Sequence, residues 1–284
     1  VAELVEGSKV KRELRFALDI AEEAGHLLLR HFGNLKPSEI SYKGRRNVVT
    51  VADKEAEDLI VAAIRKEFPA DAVLAEEATR DALTSQRIWV VDPLDGTVNF
   101  AHGVPIFCVS VALMSDGQVE LGVVHAPVFG ETWWALRGNG AFLNGKRCSV
   151  TSTADITKAL LATGFAYIRE ETEHNNLPNF NRLNMVAEGV RRMGSAALDL
   201  CYVACGRYDG FWELFLWPWD VAAGSLIVTE AGGVVTDLEG GNDYIFSFNI
   251  AASNGRIHKA LLSRLEPFPK RFRFGKLEPG GEAP

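Results

Sequence analysis

Ile88-Trp89-Val90-Val91-Asp92-Pro93-Leu94-Asp95-Gly96-Thr97 is the stretch on which the reading of this chain turns. Four apolar residues rich in β-branched side chains predict a strand, and the strand runs directly into two carboxylates three residues apart. Pro93 fixes its own φ and Gly96 permits backbone conformations that other residues avoid, so the chain can fold tightly around a ligand at the sheet's end. Two acids held together repel each other, and a cation between them removes that penalty. Oxygen donors of this kind suit hard ions such as Mg²⁺, Mn²⁺ or Ca²⁺. The competing explanation is a surface turn, because Asp-Pro and Asp-Gly are common turn formers. An EF-hand is excluded: with Asp92 as loop position 1, positions 3 and 5 are Leu94 and Gly96, which offer no side-chain oxygen.

Outward from this stretch, further acids follow other predicted elements. Glu76-Glu77 comes after the short apolar run Ala72–Leu74, and Asp220 opens a predicted helix, Asp220–Ala231, that ends at Gly232-Gly233. Asp220 reads equally well as a plain helix cap. Upstream, two helices are predicted. One is capped by Ser8, carries Leu14, Ala17, Ala21, Ala24 and Leu28 on one face, and ends at Gly33; the other runs from about Ala52 to Phe68. Downstream, Ile106–Met114, Gln118–His125, Thr132–Leu136 and Ala141–Leu143 read as an antiparallel meander. Beyond residue 150 strands and helices alternate: strand Leu160–Thr163, helix Asn179–Glu188, helix Ala196–Cys205, strand Tyr208–Leu214, then strands Val234–Thr236 and Ile250–Ala252. The expected architecture is α+β in layers, with an N-terminal lobe over 9–150 and a C-terminal lobe over 151–265 sharing one continuous domain. Residues 266–284, rich in Pro and Gly, are expected to hang off the fold as a tail.

Composition narrows the function classes. The 284 residues are 47% hydrophobic and 24% charged, a globular mixture, and the formal net charge of −7 disfavours a nucleic-acid surface. No apolar run approaches the roughly 18 residues of a membrane span. The first residues show neither a basic start nor an apolar core, so a cytoplasmic protein is expected. Cys108, Cys148, Cys201 and Cys205 are too few and too irregular for a disulfide scaffold. Cys201 and Cys205 share a helix face but have no His pair beside them, so they read as buried apolar residues. There is no Gly-x-Ser-x-Gly elbow and no His-Glu-x-x-His; His102, close behind the acidic stretch, is not read as a site residue. Phe211, Trp212, Phe215, Trp217 and Trp219 read as core or dimer-interface packing rather than substrate contact. Lys43-Gly44-Arg45-Arg46 reads either as a flap approaching phosphate or as a solvated loop.

Taken together, Asp92-Pro93-Leu94-Asp95-Gly96-Thr97-Val98-Asn99-Phe100 resembles the first signature of the inositol monophosphatase family. Trp219-Asp220-Val221-Ala222-Ala223-Gly224, running on to Glu230-Ala231-Gly232-Gly233, resembles the second. Asn47 to Asp53 is similar to the family's upstream segment, and Glu76 stands at its acidic position, with Ala75 where Gly is frequent. The likeness spans about residues 9–265. It implies a layered αβαβα sandwich of the inositol monophosphatase/fructose-1,6-bisphosphatase type, usually a homodimer, hydrolysing small phosphate monoesters with two or three Mg²⁺ ions (Mn²⁺ being an alternative) and sensitive to Li⁺. Carried over position by position, it implies Glu76, Asp92 and the Leu94 carbonyl at a first metal and Asp92, Asp95 and Asp220 at a second, with Glu76 helping a weaker third. Leu94 stands where Ile is frequent, which is immaterial for a main-chain ligand. Thr97 and Asp53, with Glu76, would activate water. Gly96 and Thr97 would offer N–H groups to the phosphate, while Asp95, Gly194, Ser195, Ala196, Glu213 and Asp220 would meet the polyol. Glu213 also reads as an exposed strand acid. Asn99-Phe100 resembles the inositol branch rather than the nucleotide branch, which has Lys-Glu-Phe there. The expected function is hydrolysis of inositol 1-phosphate or a related polyol phosphate, with fructose-1,6-bisphosphatase and histidinol-phosphate phosphatase as rivals. A non-catalytic binding protein on the same fold is the rival from another class; against it, every acid and Thr97 are intact.

Overall fold

In the computed structural model, residues 11–76, 85–269 and 274 are described; Ser8, Glu77 and residues 270–273 lie outside them. α1 (Lys11–His31) and α2 (Val51–Glu67) flank a two-stranded antiparallel ribbon of β1 (Ile40–Tyr42) and β2 (Val48–Thr50). The main sheet then forms in near-sequential order from β3 (Ala72–Ala75), β4 (Arg87–Asp95), β5 (Cys108–Ser115), β6 (Gln118–Ala126), β7 (Glu131–Leu136), β8 (Gly140–Leu143) and β9 (Lys146–Arg147). Among the described residues of this sheet, β3 and β4 pair in parallel and the later neighbours are antiparallel. The short helix α3 (Thr97–Ala101) follows β4 directly.

A second sheet holds β10 (Leu160–Thr163), β11 (Gly189–Arg191), β12 (Gly210–Leu214), β13 (Val234–Thr236) and β14 (Asn249–Ser253), in the order β11-β10-β12-β14-β13. Between and around these strands run α4 (Leu177–Asn184), α5 (Ala196–Ala204), α6 (Pro218–Glu230) and α7 (His258–Leu262).

The layering follows from which face each apolar residue takes. In β4 and β5, Trp89, Val91, Val109, Val111 and Leu113 join a core with α1 and α2. Their neighbours Ile88, Val90, Cys108, Ala112 and Met114 join the opposite core with α5 and α6. A strand covered on both faces needs no polar alternation, which is why the segment reads as an unbroken apolar run. The order is helices, seven-stranded sheet, helices α5 and α6, five-stranded sheet, and outer helices: a layered αβαβα sandwich, as expected. No helix among the described residues is long and apolar enough to cross a membrane.

The differences from expectation are local. The ribbon β1–β2, strand β11 and helix α7 were not anticipated, since three- to five-residue elements carry too little periodicity. The helix expected over Asn179–Glu188 starts earlier, at Leu177, and ends at Asn184, ahead of β11. The expected tail is tied down in part: Phe268 and Phe274 are buried, and Phe274 meets Trp217 with ring centroids 5.6 Å apart. Aromatic burial overrides the local Pro/Gly signal there.

Candidate active site

Asp92 and Asp95, three residues apart, would point to opposite faces of a regular strand. A bulge prevents this: Asp92 pairs with Ser110 and Asp95 with Cys108, so β4 uses one more residue than β5 between the two pairs. Pro93, which has no N–H for the ladder, sits inside that irregularity. Both acids therefore open on one pocket. Gly96 then turns at φ 98°, and a Cβ there would lie 2.8 Å from the Ile106 carbonyl, so this position demands glycine.

Parallel pairing supplies the next acid. β3 matches Ala75 to Val91, so Glu76 and Asp92 leave adjacent strand ends together. Asp220 arrives on the first turn of α6, where its Oδ2 accepts the Trp217 N–H at 2.6 Å, while Ser110 Oγ holds the Trp219 carbonyl at 3.2 Å. The helix starts at Pro218, two residues earlier than expected, so Asp220 is not its N-cap but its third residue, reaching back to the N–H of the N-cap Trp217, and it also lines the pocket. Asp95 Oδ2 is held by Ser195 Oγ at 2.7 Å and by the Ala197 N–H at 2.8 Å, tying β4 to the start of α5. Asn99 strengthens the same junction, donating to the Ile106 and Met193 carbonyls at 2.8 and 2.9 Å.

Eleven of the twelve anticipated residues line this open pocket of about 120 Å³: Glu76, Asp92, Leu94, Asp95, Gly96, Thr97, Gly194, Ser195, Ala196, Glu213 and Asp220. The twelfth, Asp53, lies beneath it, 1% exposed, and accepts the Thr97 hydroxyl at 2.9 Å. Asp53 is fixed from behind, its Oδ2 accepting Thr50 N–H at 2.8 Å and Thr50 Oγ at 2.6 Å at the start of α2. Thr97 Oγ also stands 3.0 Å from the Leu94 carbonyl. Its single proton must choose between those two acceptors.

The electrostatics are those of a site short of positive charge. Burial, then Glu76, Asp95 and Asp220, push Asp92 well above the ordinary carboxylate range. Asp220 is raised well above it by burial and then Asp95; Asp95 is raised by burial, with the Ser195 and Ala197 hydrogen bonds pulling it back. Among the described residues no three His, Cys, Asp or Glu side chains are drawn into the close cage of a bound ion. The acids share a pocket and one another's fields, and their donors are all oxygen, so the set fits hard divalent cations. Glu213 is pushed up to about 8 by burial; Arg192 opposes the rise and Asp95 adds to it.

Several pocket residues were not anticipated: Asn47, Phe165, Ala166, Tyr167 and Arg192. The aromatic cluster packs as core, as expected: Phe211, Trp212, Phe215 and Trp219 are buried in it and Trp217 packs against it. Phe215, Trp217 and Trp219 also form pocket wall, where the chain leaves β12 through Phe215 at φ 61°. The basic loop reaches the site too, with Lys43 Nζ 3.6 Å from Glu76 Oε1. His102 does not line the pocket, and Cys201 is buried and unbridged.

Such a sandwich, with acids gathered at strand ends and a buried Asp–Thr pair, is the architecture of a phosphatase family. A sequence profile of the inositol monophosphatase family matches residues 10–268, and the chain belongs to that family. Among curated relatives it is 43% identical over 263 residues to Nus factor SuhB of Pseudomonas aeruginosa, covering 89% of this chain and 96% of that one. It is 41% identical over 254 residues to inositol-1-monophosphatase of Mesorhizobium japonicum, with the same coverages. Among solved structures, the extragenic suppressor protein suhB of Bartonella henselae superposes with a TM-score of 0.84 at 40% identity, covering 91% of this chain and all of that one. The inositol monophosphatase of Anabaena (Nostoc) sp. PCC 7120 gives a TM-score of 0.81 at 40% identity, covering 92% and 97%.

Proposed function

We propose that the protein is a Mg²⁺-dependent phosphomonoesterase that hydrolyses inositol 1-phosphate or a related polyol phosphate, as a homodimer. The observation that carries this reading is the convergence of Glu76, Asp92, Asp95 and Asp220 on one pocket directly above the Thr97–Asp53 hydrogen bond. Glu76, Asp92 and the Leu94 carbonyl would hold one ion, and Asp92, Asp95 and Asp220 another. The bound ions supply Lewis acidity to the phosphate oxygens and lower the pKa of water.

This chain's own residues do the rest. Thr97 Oγ donates its hydrogen bond to Asp53 Oδ1, 2.9 Å away, and so turns a lone pair to a water molecule, orienting it for in-line attack; as the water attacks, its proton passes to Thr97 Oγ and Thr97's proton to Asp53. The Gly96 and Thr97 N–H groups receive the phosphate oxygens. Glu213 accepts hydrogen bonds from polyol hydroxyls. No phosphoenzyme forms in this scheme, so a chiral, isotopically labelled phosphate should be released with inverted configuration; retention would contradict it.

The test is a side-by-side assay with Mg²⁺ of inositol 1-phosphate, fructose 1,6-bisphosphate and histidinol phosphate. Hydrolysis of the inositol ester above the other two supports the reading, and hydrolysis of none rejects it. Inhibition by Li⁺ is expected in the same assay. A second reading, a non-catalytic binding role on the same fold, draws on relatives called Nus factor, a name that is not an enzyme's. It predicts no hydrolysis and a phenotype indifferent to Asp92→Asn.

A further inference from the structure

Two phenylalanines beside the pocket hold a backbone conformation that bulky side chains avoid: Phe215 at φ 61° and Phe248 at φ 59°. The other non-glycine residues at positive φ among the described ones are Asp116, Asn144 and Asn176, types that tolerate it. Phe215 donates its N–H to the Phe248 carbonyl, so the two form one strained junction where β12 ends and β14 begins. Strain of this kind persists only where the surroundings over-determine it, and it gathers at functional sites. From this junction the chain lines the pocket through Phe215, Leu216 and Trp217, and then through Trp219 and Asp220. Asp220 is tied to the same stretch, its Oδ2 accepting the Trp217 N–H at 2.6 Å.

Two rings near the C-terminus press on this junction. Phe268 meets Phe215 edge to face, with centroids 5.0 Å apart and planes at 81°. Phe274 meets Phe248 at 6.3 Å, Trp217 at 5.6 Å and Trp219 at 6.1 Å. Trp217 and Trp219 stack on each other at 5.1 Å and 3°, so a ring that touches both holds them as a pair. Backbone hydrogen bonds of 2.8 Å fix the approach: Glu266 N–H to Asn179 Oδ1, Phe268 N–H to Glu239 Oε1, and Phe274 N–H to the Phe246 carbonyl. Phe215, Trp217 and Trp219 are thus each backed by Phe268 or Phe274. Phe274 lies beyond residues 10–268 of the family match, so this brace is a feature of the chain itself.

We propose that Phe268 and Phe274 are positioning residues of the active site: they lock the strained junction and hold Phe215, Trp217 and Trp219 as a fixed wall against which the carbon skeleton of a polyol packs. The C–H groups of such a substrate suit an aromatic wall as its hydroxyls suit Glu213. The C-terminal segment thereby sets the preference for a polyol phosphate over a small alkyl phosphate. The inference rests on the phosphatase reading above and adds which part of the chain shapes the polyol's half of the pocket.

Two measurements on the full chain test it. Without substrate, acrylamide quenching of tryptophan emission should rise in Phe274→Ala, and the rise should vanish where Trp217 and Trp219 are both replaced by Phe. No rise, or one that survives in that background, overturns the brace. With Mg²⁺, the ratio of kcat/KM for inositol 1-phosphate to that for methyl phosphate should fall about fivefold in Phe274→Ala, the weight of one aromatic contact. The fall should come through KM for the inositol ester, with kcat changed less than about twofold, and Phe274→Leu should lie between. Phe142→Ala removes a buried ring that stacks on Trp134 in the opposite core, so it should lower the melting temperature and leave the ratio at the wild-type value. An unchanged ratio in Phe274→Ala, or an equal fall in Phe142→Ala, overturns the positioning role; should Phe274→Ala fail to fold, Phe274→Leu decides by the same ratio. A wild type that hydrolyses neither ester overturns the phosphatase reading instead, and the quenching comparison then still decides whether the brace exists.

Discussion

Asp53 and Asp92 are both nearly inaccessible carboxylates, at 1% and 2% exposure, yet they are stabilised in opposite ways. Asp53 is wrapped in donors: Thr50 N–H, Thr50 Oγ and Thr97 Oγ lie within 2.9 Å of its oxygens. Asp92 has the Leu94 N–H at 3.0 Å but faces three other acids. Hydrogen bonds make the first a fixed part of the scaffold. Repulsion makes the second a site that gains stability when a cation arrives. Fold and function thus draw on the same residue type with opposite energetic sign.

The largest expected effect comes from the repelling set. Asp92→Asn or Asp220→Asn should lower turnover by at least about a thousandfold, because each removes a ligand oxygen. The same changes should leave the metal-free melting temperature equal or raised, since each deletes a buried charge from a crowded group. Lowered stability in EDTA would break the comparison from that side.

Asp53 should behave the other way. Asp53→Ala strands the Thr50 and Thr97 donors and should destabilise the protein by about 1–3 kcal/mol in urea unfolding, whether or not Mg²⁺ is present. Asp53→Asn keeps the shape and should lower kcat by about 10²–10⁴ with little change in KM. A variant with wild-type kcat would remove Thr97–Asp53 from the chemistry.

A pH series sharpens the contrast. Burial raises Glu213 from 4.5 to about 8, so between those values the folded state binds more protons than the unfolded one, and stability falls as pH rises. Melting temperature in EDTA should decline across this window, and Glu213→Gln should flatten the slope. A slope unchanged by that substitution would show that Glu213 does not sense burial.

The smallest effect is expected at Gly164. A Cβ there would stand 2.0 Å from Glu213 Oε1, so Gly164→Ala must push the carboxylate aside. KM for a polyol phosphate should rise several-fold while kcat stays near wild type.

Much of this was legible in the chain. The run from Ile88 to Thr97 announced a strand end with paired acids, and the long helices announced themselves by period. What stayed hidden depends on tertiary approach. The β4 bulge that turns Asp92 and Asp95 to one side is a mismatch with β5, and no local residue pattern fixes it. Arg192 and Tyr167 belong to the pocket only because β11 and the loop after β10 flank it. The Pro/Gly neighbours of Phe274 point to a loose end, whereas its ring is claimed by Trp217 and Phe248.

The central claim is that mutual repulsion among Glu76, Asp92, Asp95 and Asp220 is relieved by divalent cations. Thermal unfolding during a Mg²⁺ titration tests it most directly. The account predicts a saturable rise in melting temperature for the wild type and a much smaller rise for Asp220→Asn. A melting temperature indifferent to Mg²⁺, or an equal rise in both proteins, would contradict it.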